Sequence, residues 1–389
     1  MKFSEKVLSV QPSATLAITS KAKAMAQAGE DVIVLAAGEP DFDTPDIIKD
    51  AAIKAIRAGN TKYTPSSGTL SLKKMICRKL EKDNGLKYDP DEIVVSDGAK
   101  HSLFNIIQVL CIPGDEILIV HPYWLSYPEM VKLAGGIPRI IHTKKEDGFK
   151  VKAKDILSAI TQRTKALIVN SPSNPAGVVY SESELREIAG ICLDKGILLI
   201  SDEIYEKIIF DANRHFSIAA LSPEIKASTI VVNGVSKSYS MTGWRIGYAA
   251  GDKNIMKMVT TLQSHSTSNP CSISQAAAEA ALSADLDGYM EKNRVMFQDR
   301  RNALMGYFSS CTRLKPLNPQ GAFYLFCDIS ETGMDSLTFS NRLLADKKVA
   351  VIPGGPFGED YFIRISFATD LATIKNGVDR IIDWVNSVV

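Results

Sequence analysis

Short, uninterrupted apolar runs alternate with amphipathic stretches through the middle of the chain. Glu92-Ile93-Val94-Val95-Ser96 reads as a strand, and the pattern over residues 99–110 reads as a helix. A second strand, residues 116–120, is entered through the turn Pro113-Gly114-Asp115. Residues 165–169, 197–200 and 229–232 have the same β-branched, continuously apolar character. Strands without polar alternation are buried on both faces. The pattern therefore predicts an α/β fold with a mostly parallel sheet covered by helices on each side.

The last hundred residues read differently. Residues 282–308 carry charges at helical spacing and predict one long helix. Strands over 322–326, 349–352 and 361–366 follow, then an amphipathic closing helix over 371–388. The Pro- and Gly-dense run from Ile352 to Gly358 reads as a loop. A boundary between a large and a smaller unit is expected near residue 290.

Composition narrows the classes. At about 150 residues per domain, a chain of 389 residues suggests two or three domains. A hydrophobic fraction of 45% supplies a sizeable core. Lys plus Arg is 45 and Asp plus Glu is 44, a formal net charge of +1. A nucleic-acid binder normally carries a basic stripe, so nucleic-acid partners are not expected. No run approaches the roughly 18 apolar residues of a membrane-spanning helix. The polar start Met1-Lys2-Phe3-Ser4 leads into no long apolar stretch, so no secretory signal is read and a cytoplasmic protein is expected. The six cysteines are widely spaced with no C-x-x-C pair, which favours reduced, buried residues over a disulfide framework.

In open α/β sheets, ligands bind beyond the carboxyl ends of the strands, so those residues carry the candidate chemistry. Asp97-Gly98-Ala99-Lys100 opens a helix and suits an anion on backbone N–H groups, or simply an N-cap by Asp97. Neither a dinucleotide nor a nucleoside-triphosphate glycine motif is present. Ser171-Pro172-Ser173-Asn174-Pro175 is a stiff turn that would hold Asn174 in one place. Asp202, at the end of a buried strand, needs a cationic or hydrogen-bonding partner to stay ionised. Lys237 lies in a Gly/Ser-rich loop with Arg245 eight residues on, between Gly243 and Gly247. A lysine forming a Schiff base and an arginine forking onto a phosphate would each need such a setting.

These residues carry a resemblance. Gly234-Val235-Ser236-Lys237, with Arg245-Ile246-Gly247, resembles the coenzyme-attachment motif of class I/II pyridoxal-phosphate aminotransferases. Ala36 to Phe42, Lys62-Tyr63-Thr64-Pro65, Pro122-Tyr123-Trp124, Asn170 to Gly177, Ser201 to Tyr205 and Arg364 follow in family order. The resemblance spans nearly the whole chain and is nearest to the bacterial-type aspartate aminotransferases, in their aspartate/prephenate subgroup. It implies a fold-type I architecture with a mostly parallel seven-stranded sheet in a large domain, residues 41–290. Residues 1–40 and 291–389 would form a small α/β domain with an N-terminal arm.

The resemblance also assigns roles. Lys237 would hold pyridoxal 5′-phosphate as an internal aldimine and then shuttle the substrate proton. Asp202 would pair with the pyridine nitrogen, and Tyr205 and Asn174 would hydrogen-bond the ring oxygen. Trp124 would stack on the ring. The phosphate would rest on the N–H groups of Ala99 and Lys100, with Arg245 and Ser236. Tyr63 would reach the same phosphate from a neighbouring subunit, which implies a homodimer. Arg364, with Asn174 and Gly38, would clamp the substrate α-carboxylate.

The substrate side chain is a separate question. The best-studied aspartate aminotransferases use a partner arginine, downstream of the coenzyme lysine, for the second carboxylate. Here there is no arginine from Ile246 through Asn293. Lys100 and Thr15 match a subgroup in which this pair goes with acceptance of prephenate. The expectation is ping-pong transfer of the amino group of L-aspartate to 2-oxoglutarate, extending to prephenate. The motif itself is shared with aromatic and alanine aminotransferases and with Cβ lyases. A ligand-sensing regulator on this fold would need a DNA-binding module, which the neutral charge does not support.

Overall fold

The computed structural model describes residues 2–388. Its main sheet comprises β1 (Ile93–Ser96), β2 (Glu116–Val120), β3 (Ile137–Ile141), β4 (Thr164–Asn170), β5 (Leu198–Asp202), β6 (Thr229–Gly234) and β7 (Gly247–Ala250). The spatial order of the seven strands is β1-β7-β6-β5-β4-β2-β3. The pairs β2/β3, β2/β4, β4/β5 and β5/β6 are parallel, whereas β7 is antiparallel to both β1 and β6. All five apolar runs read from the sequence are strands of this sheet.

Burial on both faces explains their composition. Ile117 and Ile119 pack with Leu103, Ile107 and Met256 under the helices Ala99–Leu110 and Lys253–Ser264. Leu118 points the other way and packs with Leu185 and Ile188 of the helix Glu182–Asp194. The two strands not foreseen lack this signature. β3 is a half-exposed edge with Pro138 in it, a position where the missing N–H costs no ladder bond. β7 reads Gly-Tyr-Ala-Ala, a poor strand by propensity. It is extended because it pairs on both sides and is fully buried.

A second sheet holds Tyr324–Asp328 antiparallel to Phe362–Ser366, flanked by Ile352–Pro353 and Lys315–Pro316. The amino-terminal pair Ile33–Val34 runs parallel to Val349–Ala350, so the two ends of the chain are joined. The closing helix Leu371–Val388 buries Ile374, Val378, Ile381 and Trp384 on one face.

Three sequence expectations are corrected. The long helix over 282–308 is two helices, Ser272–Ser283 and Asp287–Phe308. Ala284 is extended, and the Asp285 carboxylate accepts the Asp287 N–H, so a short polar side chain competes with the helix and restarts it. The loop over 352–358 begins as a strand, because Ile352 and Pro353 pair with Arg364 and Ile363. The helix at Ala99 is not capped by the Asp97 side chain. Its N-cap is Gly98, with no side-chain cap bond.

Candidate active site

The carboxyl ends of β4, β5 and β6 open onto a cavity of about 550 Å³. Asn170 and Asp202 line it from strand ends, and Ser236 and Lys237 from the loop after β6. The small-sheet strand Phe362–Ser366 contributes Arg364, and the segment after Ile33–Val34 contributes Gly38. Trp124, Asn174, Tyr205, Ala99, Lys100, Arg245 and Thr15 also line it. Of the residues named from the sequence, only Tyr63 is elsewhere. It is 90% exposed and does not line the cavity of its own chain.

Lys237 sits at the centre. Its Nζ donates to the Gly38 carbonyl at 2.5 Å. Burial pushes the amine down to about 8. Glu39 and Asp202 work against that, while Arg245 and Arg364 reinforce it. The result is a lysine much closer to its free-amine form at neutral pH than a surface lysine would be.

Asp202 is 4% exposed. Burial raises its carboxyl to about 6, against hydrogen bonds from Tyr127 and the Ile204 N–H. The Tyr127 hydroxyl donates to Oδ2 at 2.6 Å, and Tyr127 packs edge-on against Trp124 with centroids 5.3 Å apart. A buried carboxylate on the threshold of protonation is ready for a cationic partner in the cavity.

Anion sites stand on either side. At one end, the first N–H groups of the helix Ala99–Leu110, those of Ala99 and Lys100, have no acceptor among the described residues. Gly98 adopts φ 89°, and a Cβ there would strike the Arg245 guanidinium, so only glycine lets this arginine lie against the helix start. Arg245 is itself held by the carbonyls of Thr242 (2.8 Å) and Asp97 (3.3 Å). A Cβ on Gly247 would collide with the Ala99 N–H, so this second glycine keeps β7 close to the same turn.

At the other end, Arg364 is 2% exposed. It donates to Asn174 Oδ1 at 3.0 Å and to the Ala36 carbonyl at 3.1 Å. Its Nε is buried with no partner among the described residues. Its guanidinium lies 4.2 Å from the Tyr324 ring centroid, and Tyr324 shares a 3.0 Å hydrogen bond with Tyr205. Burial lowers the arginine and raises both tyrosines, so each phenol stays protonated. A buried guanidinium with unsatisfied capacity and no carboxylate partner among the described residues is built to receive one.

Lys100 lies 4.8 Å over the Trp124 ring. Burial lowers its amine, and Arg245 adds to the effect. Thr15, on the helix Ala14–Gln27, has a buried hydroxyl with no partner among the described residues. The segment 262–270 does not line the cavity of its own chain.

Sequence reasoning missed three supporting residues. Tyr127 carries a helical signal like any core tyrosine. Tyr324 reads from the sequence only as a residue of the strand over 322–326. Asn170 stands just ahead of the stiff turn; its Nδ2 donates to the Asp202 carbonyl (2.9 Å) and its Oδ1 accepts the Asn174 N–H (2.9 Å), joining the turn to β5. Residue type alone gives no sign of these partners.

Comparison with known proteins agrees with this geometry. The family model described as aminotransferase class I and II matches residues 30–381. An aspartate aminotransferase of Geobacillus stearothermophilus is 50% identical over 386 residues, covering 98% of each chain. An aspartate/prephenate aminotransferase of Nitrosomonas europaea is 44% identical, covering 98% of this chain and 99% of that one. A solved aspartate aminotransferase of Thermus thermophilus, with maleate, superposes with a TM-score of 0.95 at 39% identity, covering 98% and 99% of the two chains. With a family match that runs through both sheets and all of the cavity wall except its amino-terminal part, residues 13–23, the chain belongs to the class I and II aminotransferases.

Proposed function

We propose that this chain is a homodimeric, pyridoxal-phosphate-dependent aminotransferase. It moves the amino group of L-aspartate to 2-oxoglutarate and also accepts prephenate. One observation carries the reading. A single cavity brings together a lysine of lowered basicity, a buried aspartate, an uncapped helix start with an arginine, and a second, buried arginine lacking a carboxylate. The names of the relatives supply the aspartate and prephenate classes. In this reading residues 41–290 form the coenzyme domain, and residues 1–40 with 291–389 form the small one.

The residues present fit the coenzyme. Its phosphate matches the N–H groups of Ala99 and Lys100, Arg245 and Ser236. Asp202 supplies the anion that a protonated ring nitrogen needs in a buried site. When bound, pyridoxal phosphate supplies the carbonyl that takes up an amino group and the ring that accepts electrons from the α-carbon.

The protein does the rest. Arg364 forks onto the substrate α-carboxylate, and Asn174 orients it. Because Asn174 Oδ1 already accepts from Arg364, its Nδ2 is left to donate. Tyr205 is held in its protonated form and donates to an anionic oxygen in the cavity. Lys237 Nζ, whose free-amine fraction at neutral pH is raised by burial, takes the proton from the substrate α-carbon and would deliver it to the coenzyme rather than back to that carbon. Trp124 offers an aromatic wall, and Lys100 and Thr15 are the groups left for a distal carboxylate.

The decisive test is a single half-reaction of the purified holoenzyme with L-aspartate. Stoichiometric oxaloacetate supports the proposal. Pyruvate with ammonia would identify a Cβ lyase. No product from aspartate, with turnover of alanine or tyrosine, would identify another aminotransferase. The Lys100 role is read by Lys100→Ser, which should cost aspartate and prephenate about a hundredfold more in kcat/KM than an apolar amino acid.

A further inference from the structure

The loop carrying Tyr63 is anchored by two buried glutamines that take no part in the cavity. Gln263 is 0% exposed and Gln275 is 1% exposed. Gln275 Oε1 accepts the Thr69 N–H at 2.8 Å. Its Nε2 donates to Thr64 Oγ1 at 2.9 Å and to the Pro270 carbonyl at 2.8 Å. Gln263 Nε2 donates to the carbonyls of Ser66 (2.6 Å) and Val95 (2.7 Å). Its Oε1 accepts from Ser96 (2.7 Å) and Asn105 (3.0 Å). Gln263 thus uses its full hydrogen-bonding capacity. Ser272 adds a bond to the Asn60 carbonyl at 2.7 Å.

Thr64, Ser66 and Thr69 are each tied to a buried glutamine, whereas the Tyr63 ring between these anchors and Asn60 stands free in solvent. Holding an exposed aromatic ring on a rigid base removes most of the ordering cost it would meet on binding. Gln263 also joins this loop to β1, through Val95 and Ser96, and to the helix Ala99–Leu110, through Asn105. The base of the loop is therefore continuous with the phosphate-binding turn of its own chain.

We infer that Gln263 and Gln275 are positioning residues that preset the loop over residues 60–69, so that Tyr63 is presented ready-formed to the phosphate site of a second copy of this chain. The inference rests on the reading above that Tyr63 reaches that phosphate. It assigns neither glutamine any contact with coenzyme or substrate.

The test measures the Kd of pyridoxal phosphate by equilibrium dialysis of holoenzyme, with sedimentation velocity reporting assembly. Tyr63→Phe should raise Kd about tenfold, the size of one hydrogen bond to a charged group. Gln275→Leu should raise it severalfold. Thr64→Val removes the same bond from the half-buried loop side and reads the inference if the glutamine variant fails to fold. Thr64→Val should raise Kd in the same direction but by less than Gln275→Leu, since it removes one of the two bonds from Gln275 to the loop, and combined with Tyr63→Phe it should add nothing beyond Tyr63→Phe alone. A merely structural glutamine would not produce that non-additivity. If Tyr63→Phe raises Kd but Thr64→Val does not, or if their effects multiply, the inference is overturned and the Tyr63 reading stands. If Tyr63→Phe leaves Kd unchanged, the Tyr63 reading falls and the inference falls with it.

Discussion

At the scale of the residue, the cavity is defined by what burial does to three groups. Lys237 is pushed down to about 8 and Asp202 up to about 6, while Arg364 keeps an unpaired Nε. The lysine is readily tested. In coenzyme-free protein, acylation of Lys237 should show a midpoint near pH 8, about two units below an ordinary lysine. A midpoint near pH 10 would show that the amine is not desolvated. Lys237→Ala should abolish transamination. Tyr127 acts one step away, through its 2.6 Å hydrogen bond to Asp202. That bond lowers the carboxyl against burial, so Tyr127→Phe should raise Asp202 further. A larger neutral fraction of Asp202 at pH 7 weakens its hold on a cation. The transamination half-reaction should slow about tenfold, with the loss greatest at low pH.

At the scale of the element, the site depends on how closely a strand, a turn and a helix start approach one another. β7 contributes Gly247 where a methyl group would overlap the Ala99 N–H. Gly247→Ala must move β7 away from the helix Ala99–Leu110 or tilt the helix start. Overpacking of this kind costs about 1–3 kcal/mol. The expected outcome is a lower thermal midpoint together with a tenfold or greater loss of pyridoxal-phosphate affinity, read by calorimetry and dialysis. A stability loss with unchanged affinity would separate the glycine from the anion site. Elements were unevenly legible beforehand. The helix Ala99–Leu110 and the closing helix Leu371–Val388 agree with their apolar periodicity end to end. β3 and β7 were illegible because pairing, not side-chain type, makes them strands. The break before Asp287 is hidden because charge spacing continues across it, while Ala284 leaves the helix and the Asp285 carboxylate accepts the Asp287 N–H where the next one starts.

At the scale of the whole molecule, a buried polar network ties distant parts together behind the site. Lys79 pairs with Glu206 and bonds Asn84 at 2.7 Å, and Asn84 returns to Glu206 at 2.8 Å. His215 reaches Glu203 at 3.0 Å, and Lys207 reaches Asp83 at 2.9 Å. Burial pushes Glu206 upward, but Lys79, His215 and Lys207 outweigh it and hold the carboxyl down at about 2. The sign follows from linkage. A carboxyl depressed in the fold stabilises above its unfolded pKa, near 4.5, and that contribution is lost as pH falls toward 2. Glu206→Gln leaves the buried Lys79 with only Asp83, 3.9 Å away, as counter-charge and should cost about 3 kcal/mol at pH 7. By urea titration, the gap from wild type should narrow steadily below pH 4.5. A constant gap down to pH 3 would show that the charge is not what matters.

The sequence by itself determined the sheet core, the coenzyme-type motif and the order of the cavity residues. Those follow from local rules: apolar runs bury, glycines and prolines mark turns, and strand ends carry the chemistry. The formal charge of +1 gave no reason to expect polyanion partners, and it concealed the clustering of Lys100, Arg245 and Arg364 in one cavity. Only the tertiary structure decided what each of those groups meets. Tyr127 finds Asp202 across 75 residues, Arg364 finds Asn174 across 190, and Gln275 finds Thr64 across 211. No local periodicity encodes such pairs. They arise when the sheet brings strand ends side by side, and burial then makes each unsatisfied hydrogen bond costly enough to fix its partner.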